Sequence, residues 1–91
     1  MQLAQVIGTV VSTKKSDSLR GCKLMVVRIQ NKDLKTFGEA RVAVDTVGAG
    51  VGELVLCVSG AAARNAVAAP ASPIDTAIVG IVDTIDVVQI K

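Results

Sequence analysis

Three glycines at alternate positions, Gly48, Gly50 and Gly52, lie between two carboxylates in the stretch Asp45-Thr-Val-Gly-Ala-Gly-Val-Gly-Glu53. A loop this rich in glycine cradles phosphate when a helix opens at its end and turns its first amides toward the ligand. Here Glu53-Leu-Val-Leu-Cys-Val58 follows, which is a strand pattern, and no Lys-Ser/Thr pair follows the last glycine. Nucleotide binding therefore lacks its structural context. Two readings remain open: a tight connection, or a loop lining an interface or an opening where backbones must approach closely.

The other reactive side chains narrow the chemistry further. Histidine is absent, which removes the commonest general base and the commonest imidazole ligand for zinc. Cys22 and Cys57 have no histidine to activate them, so burial is the expected state of both thiols, and two separated cysteines suit a reducing intracellular setting. No catalytic group, cofactor or metal site is expected, and the chain is not expected to be an enzyme. A formal charge of +2 is too slight to imply a polyanionic partner. Apolar runs such as Ala77-Ile-Val-Gly-Ile-Val82 are far too short to span a membrane, so a soluble protein is expected.

The elements that position these residues must be mostly strands. Of the 91 residues, 51% are hydrophobic, yet Phe37 is the sole aromatic, leaving Val, Ile and Ala to build one core in one domain covering residues 1–91. Residues 3–13 read as a strand with a bend or bulge at Gly8. Further strands are expected over 23–30, 39–44 and 53–58, with a turn-rich connection over 31–38. Ser59 is placed to cap a short helix over 61–66, and Pro70 and Pro73 then hold an extended connection. The last strand is expected over 76–88, punctuated by Gly80.

Five strands and one helix in this order predict a mainly β protein. The expected form is a small five-stranded, OB-like β-barrel with one short α-helix between strands 4 and 5 and corners at Gly8 and Gly80. The oligonucleotide-binding barrel usually carries its helix between strands 3 and 4. An OB-like nucleic-acid-binding module is the alternative function, but such modules stack bases on aromatic side chains, and Phe37 alone cannot form that platform.

Both faces of two strands are apolar. Leu24 and Val26 alternate with Met25, Val27 and Ile29, and Ile78 and Val82 alternate with Val79, Ile81 and Ile85. A barrel has one interior, so the outer apolar face predicts a homo-oligomer or a comparable scaffold contact.

Several segments carry a resemblance. Met1-Gln-Leu-Ala-Gln-Val-Ile-Gly-Thr-Val-Val-Ser-Thr13, Ser18-Leu-Arg-Gly21, residues 44–53, Ser59-Gly-Ala-Ala-Ala-Arg64 and residues 73–83 occur in the order found in bacterial microcompartment vertex proteins, which the chain resembles over nearly its whole length. Leu54 stands where that family often has an aromatic, and Ala62 where many relatives keep a polar residue. The resemblance implies a homopentamer that caps the vertices of a carboxysome-like or catabolic shell in the bacterial cytoplasm, beside hexameric shell proteins.

On that footing Val47, Gly48, Ala49, Gly50, Val51 and Gly52 are candidates for a loop at the fivefold axis or pore. Asp45, Glu53, Arg64, Asp75 and Asp83 are candidates for subunit contacts. Lys14, Lys15, Arg20 and Lys23 are candidates for a rim contact with hexameric tiles. Neither nucleic acid nor a membrane is an expected partner.

Overall fold

The computed structural model describes residues 1–12, 19, 21–67 and 73–88. Its strands are β1 (Gln2–Val10), β2 (Lys23–Gln30), β3 (Phe37–Asp45), β4 (Leu54–Ser59) and β5 (Thr76–Ile81), and one helix, α1 (Ala61–Ala66), lies between β4 and β5. The strands close into a barrel in the order β1-β2-β3-β5-β4. All pairs are antiparallel except β3 with β5, which run parallel and meet only at Val44–Ala77 and Asp45–Ile78.

The expected bulge in β1 is present. Register slips between Val6 and Gly8 opposite Val27 and Val26, so that Ile7 is left without a partner in the β1–β2 ladder. A second slip lies between Leu56 and Cys57, opposite the stretch from Gly80 to Ile78. Strand β2 and helix α1 have the boundaries expected from sequence. Strand β3 begins earlier, at Phe37, because Asp33 closes the preceding turn within Asn31–Thr36. Its Oδ1 accepts the amides of Lys35 and Thr36, and Thr36 Oγ1 donates to its Oδ2, so pairing resumes at once. Those bonds hold the exposed Asp33 carboxyl below its ordinary pKa, the Lys35 amide having the largest effect.

Two expectations are corrected. Ser59 does not cap α1: it is still paired with Thr76 in the sheet, and Gly60, at φ 62°, occupies the cap. The Gly60 carbonyl accepts the amides of Ala63 and Arg64 instead. Strand β5 also stops at Ile81 and not at 88. Val82 still donates its amide to Leu54 O at 2.8 Å, and the following residues then leave the sheet.

The two-faced strands resolve into two apolar clusters. Met25, Val27, Ile29, Ala43, Val55, Cys57 and Ile78 fill the barrel interior with Ala4 and Val6. Residues of the opposite parity, Leu24, Val44, Val58 and Ala77, lie outside and are covered by Ala63 of α1, Val67 and Ile74. Part of the outer face is therefore buried by the chain's own helix and connection, not by a second subunit. Val44 and Ile74 are the large side chains buried in this second cluster, each contributing on the order of 1.5–3 kcal/mol. Val42, 52% exposed, stays uncovered on the same face.

Candidate functional site

The glycine-rich loop closes one end of the barrel, and its shape follows from the two carboxylates that bound it. Asp45 ends β3 with a side chain only 1% exposed. Its Oδ1 accepts the amides of Val47 at 3.0 Å and Gly48 at 3.1 Å, and its Oδ2 accepts that of Ala49 at 2.8 Å. The next amide, Gly50, donates to Glu53 Oε1. Four consecutive backbone donors are thus satisfied by two side chains at the loop's ends. The arrangement is that of an anion-binding nest, with the anion supplied by the chain itself. No phosphate is needed to organise it.

Only some of the glycines are required by backbone conformation. Gly48 and Gly52 have φ of 81° and 93°, where a Cβ is strained. Gly50 lacks that constraint, but a Cβ there would stand 3.1 Å from the Glu53 Oε1 that its amide binds. The backbone then resumes pairing with the bulged part of β1: Gly52 donates to Val6 O at 2.8 Å, and Val6 donates to Glu53 O at 3.0 Å. At the other side Thr46 is tied to Ile78 O through its amide and its hydroxyl.

Lys23 completes the lock. Its Nζ lies 3.3 Å from Asp45 Oδ2 and donates to Ala49 O at 2.9 Å, while the side chain stays 51% exposed. Lys23 and Asp45 are direct cross-strand neighbours in the β2–β3 ladder, which places opposite charges at one end of the barrel.

The remaining candidates separate in space. Ala49 is fully buried and belongs to the barrel core, so its methyl packs inside the subunit. Val47, Gly48, Val51 and Gly52 form the loop's exposed side, with Val51 62% exposed. Arg64 donates to the carbonyl of Ile74 at 3.2 Å, tying α1 to the connection before β5. Asp75 is exposed, with its carbonyl accepting the Gly60 amide and its Oδ1 accepting the Thr76 hydroxyl. Asp83 is exposed beyond the end of β5. Lys14, Lys15 and Arg20 lie outside the described residues. Lys23 points to the loop, a role that its place in a run of basic residues did not suggest. The signal that pairs it with Asp45 is a strand register that sequence spacing does not show.

Neither cysteine stands in an activating site. Cys57 lies in the barrel core, where burial pushes its thiol up to about 11, with only a partial offset from the Arg41 charge. Cys22 is half-buried in the outer cluster. Among the described residues no helix is long and apolar enough to cross a membrane.

The family described as ethanolamine utilisation protein EutN/carboxysome matches residues 1–83. The chain belongs to that family. Its relatives include the bacterial microcompartment shell vertex protein PduN of Salmonella typhimurium, 53% identical over 93% of this chain and 98% of that protein. The shell vertex protein GrpN of Rhodospirillum rubrum is 51% identical over 98% of this chain and the whole of its own length. A solved structure of GrpN, described as a pentameric microcompartment shell protein, superposes with a TM-score of 0.84 at 50% identity, covering 98% of this chain and all of that one. The carboxysome shell vertex protein CcmL of Thermosynechococcus vestitus is 45% identical over 93% of this chain and 86% of its own. The barrel with its helix between β4 and β5 is thus shared with shell vertex proteins at high identity, and the locked loop lies inside the matched region.

Proposed function

We propose that this chain is a structural subunit that assembles into homopentamers and caps the vertices of a bacterial microcompartment shell. The observation that carries the reading is the end-to-end match, at about half identity, to a relative described as a pentameric shell protein. The chain is then a component of a shell within the bacterial cytoplasm, with hexameric shell proteins as its neighbours, and acts as a building element with no catalysis of its own. Asp45 and Glu53, the carboxylates nearest to an acid–base pair, have a structural role that is consistent with this: both hold loop amides.

In the ring, residues 47–52 approach the fivefold axis or the adjoining subunit. Every interface residue of a closed ring occurs once per subunit, so a small change in the loop is multiplied. Val47 and Val51 are the apolar groups this loop offers outward, while Asp45 and Glu53 act through the shape they impose. Arg64, Asp75 and Asp83 belong to the subunit boundary, and Lys14, Lys15 and Arg20 to the rim that meets the tiles.

Native mass spectrometry of the purified protein tests the assembly directly. A dominant species of five 9.3 kDa subunits is expected, and a monomer or hexamer at all concentrations would overturn the reading. Gly50→Val tests the placement of the loop. It should weaken the pentamer or close its centre, and an unchanged ring with an unchanged opening would move the loop elsewhere.

A further inference from the structure

Among the described residues, strand β3 has one open edge. On one side it pairs with β2 from Asp45 back to Phe37, whereas on the other it meets β5 only at Val44 and Asp45. Among the described residues no strand covers the second side of Phe37–Val42, where alternate residues direct both N–H and C=O away from β2. Glu39, Ala40 and Val42 are exposed there. Where residues 73–75 diverge from β3, an apolar cleft of about 160 Å³ opens, lined by Leu24, Val42, Val44, Pro73 and Ile74 among others. An uncovered edge next to an apolar cleft is a template for an added strand.

The same chain carries a segment with strand character and no ladder. Asp83-Thr-Ile-Asp-Val-Val88 continues from β5 without secondary structure, and Ile85, Val87 and Val88 are exposed. It cannot serve its own edge. Strand β5 runs parallel to β3 with Ala77 beside Val44, so Val82 lies five residues past that point and Ala40 four residues before it. Nine residue steps are roughly 30 Å along the strand direction. Ile85 and Asp86 follow Val82, which is pinned to Leu54 O, by only three and four residues, a reach of at most about 14 Å.

We infer that residues 83–88 of one subunit add as a strand to the open β3 edge of a second copy of this chain. The inference rests on the homo-oligomeric reading and specifies how one subunit grips the next. Parity agrees with it: Ile85 and Val87 share one face of an extended segment, and on that face they meet Val42 and the cleft. Asp86 then falls on the face of Arg41, placing an acid beside a base that otherwise holds Glu39.

Hydrogen exchange read by mass spectrometry tests the edge in the full-length protein, with native mass spectrometry of the same sample. Amides of Phe37–Val42 that point away from β2 should exchange at least about tenfold more slowly than in a chain ending at Val82. A pentamer whose edge amides exchange as freely as the exposed turn at 31–36 overturns this inference and leaves the pentamer standing. A monomer overturns both. The occupant is identified by co-expressing a tagged Val42→Cys chain with untagged Ile85→Cys or Val87→Cys chains and adding a short bismaleimide, with the wild-type thiols as control. Cross-links between unlike chains are expected. A protected edge that yields none assigns it to another segment or another shell protein, and the inference fails.

Discussion

The glycine-rich loop and the segment after β5 have similar ingredients, two acidic residues among valines and other small or branched groups, and the chain treats them in opposite ways. In the loop both carboxylates are used internally: Asp45 and Glu53 hold four successive amides, and Lys23 neutralises the buried one. Beyond Val82, Asp83 and Asp86 are exposed and the backbone forms no ladder. The difference lies in the intervening residues. Glycines with positive φ let the backbone curl back onto a preceding carboxylate, whereas Thr84, Ile85, Val87 and Val88 favour an extended path. One segment is held by side chains of its own subunit; the other is exposed and pairs with no strand there.

The strongest way to break this contrast is to remove the internal anion. Asp45→Ala should cost roughly 3 kcal/mol or more, because it deletes a charged acceptor for three amides and leaves Lys23 without its partner. The midpoint of urea unfolding, at fixed protein concentration, reads this loss. A shift no larger than that of an ordinary surface substitution would show that the carboxylate does not organise the loop.

Next in size are the conformational constraints. Gly48→Ala and Gly52→Ala should each cost on the order of 1–2 kcal/mol from the left-handed backbone alone. Gly50→Ala should cost less, since only the Glu53 carboxylate must give way. Equal losses at all three positions would contradict this division between conformation and space.

Lys23→Ala should cost at most about 1 kcal/mol and lose most of that effect in high salt, because half of the lysine is in water. The Cys57 thiol gives a pH test of the packed barrel. The unfolded chain releases this proton near 9.0 and the folded chain near about 11, so unfolding is favoured as pH rises through that window. Labelling of Cys57 by a thiol reagent in the folded protein should be negligible at pH 8 and rapid after denaturation. The smallest effect belongs to the other segment: Asp83→Asn should change subunit stability by less than about 0.5 kcal/mol, as read from the same urea midpoint.

Much of this was legible in the residues. Local periodicity marked β2 and α1 to the residue, and Gly8 marked the bulge, because propensity and side-chain alternation act over a few neighbours. The loop was identifiable from its glycines, and the helix's place after the fourth strand from its alanines. The pairing of Lys23 with the buried Asp45 was not, since the two lie 22 positions apart and only the β2–β3 register joins them. The outer apolar face was visible, yet its cover by Ala63, Val67 and Ile74 depends on where α1 comes to rest. The last strand shows the limit best. Residues 82–88 have strand composition, but a strand exists only where a neighbour accepts its backbone bonds, and within the subunit that support ends at Val82.

Sequence by itself thus determined the β-rich class, the element order and the helix after the fourth strand, because these follow from short-range pattern and from a core left to Val, Ile and Ala. Closure of the barrel, the parallel contact of β3 with β5, the burial of Ala49 and, among the described residues, the uncovered β3 edge were decided by tertiary structure. Each of these is a contact between residues far apart in the chain, and only the closed sheet determines which backbone groups and which faces find partners.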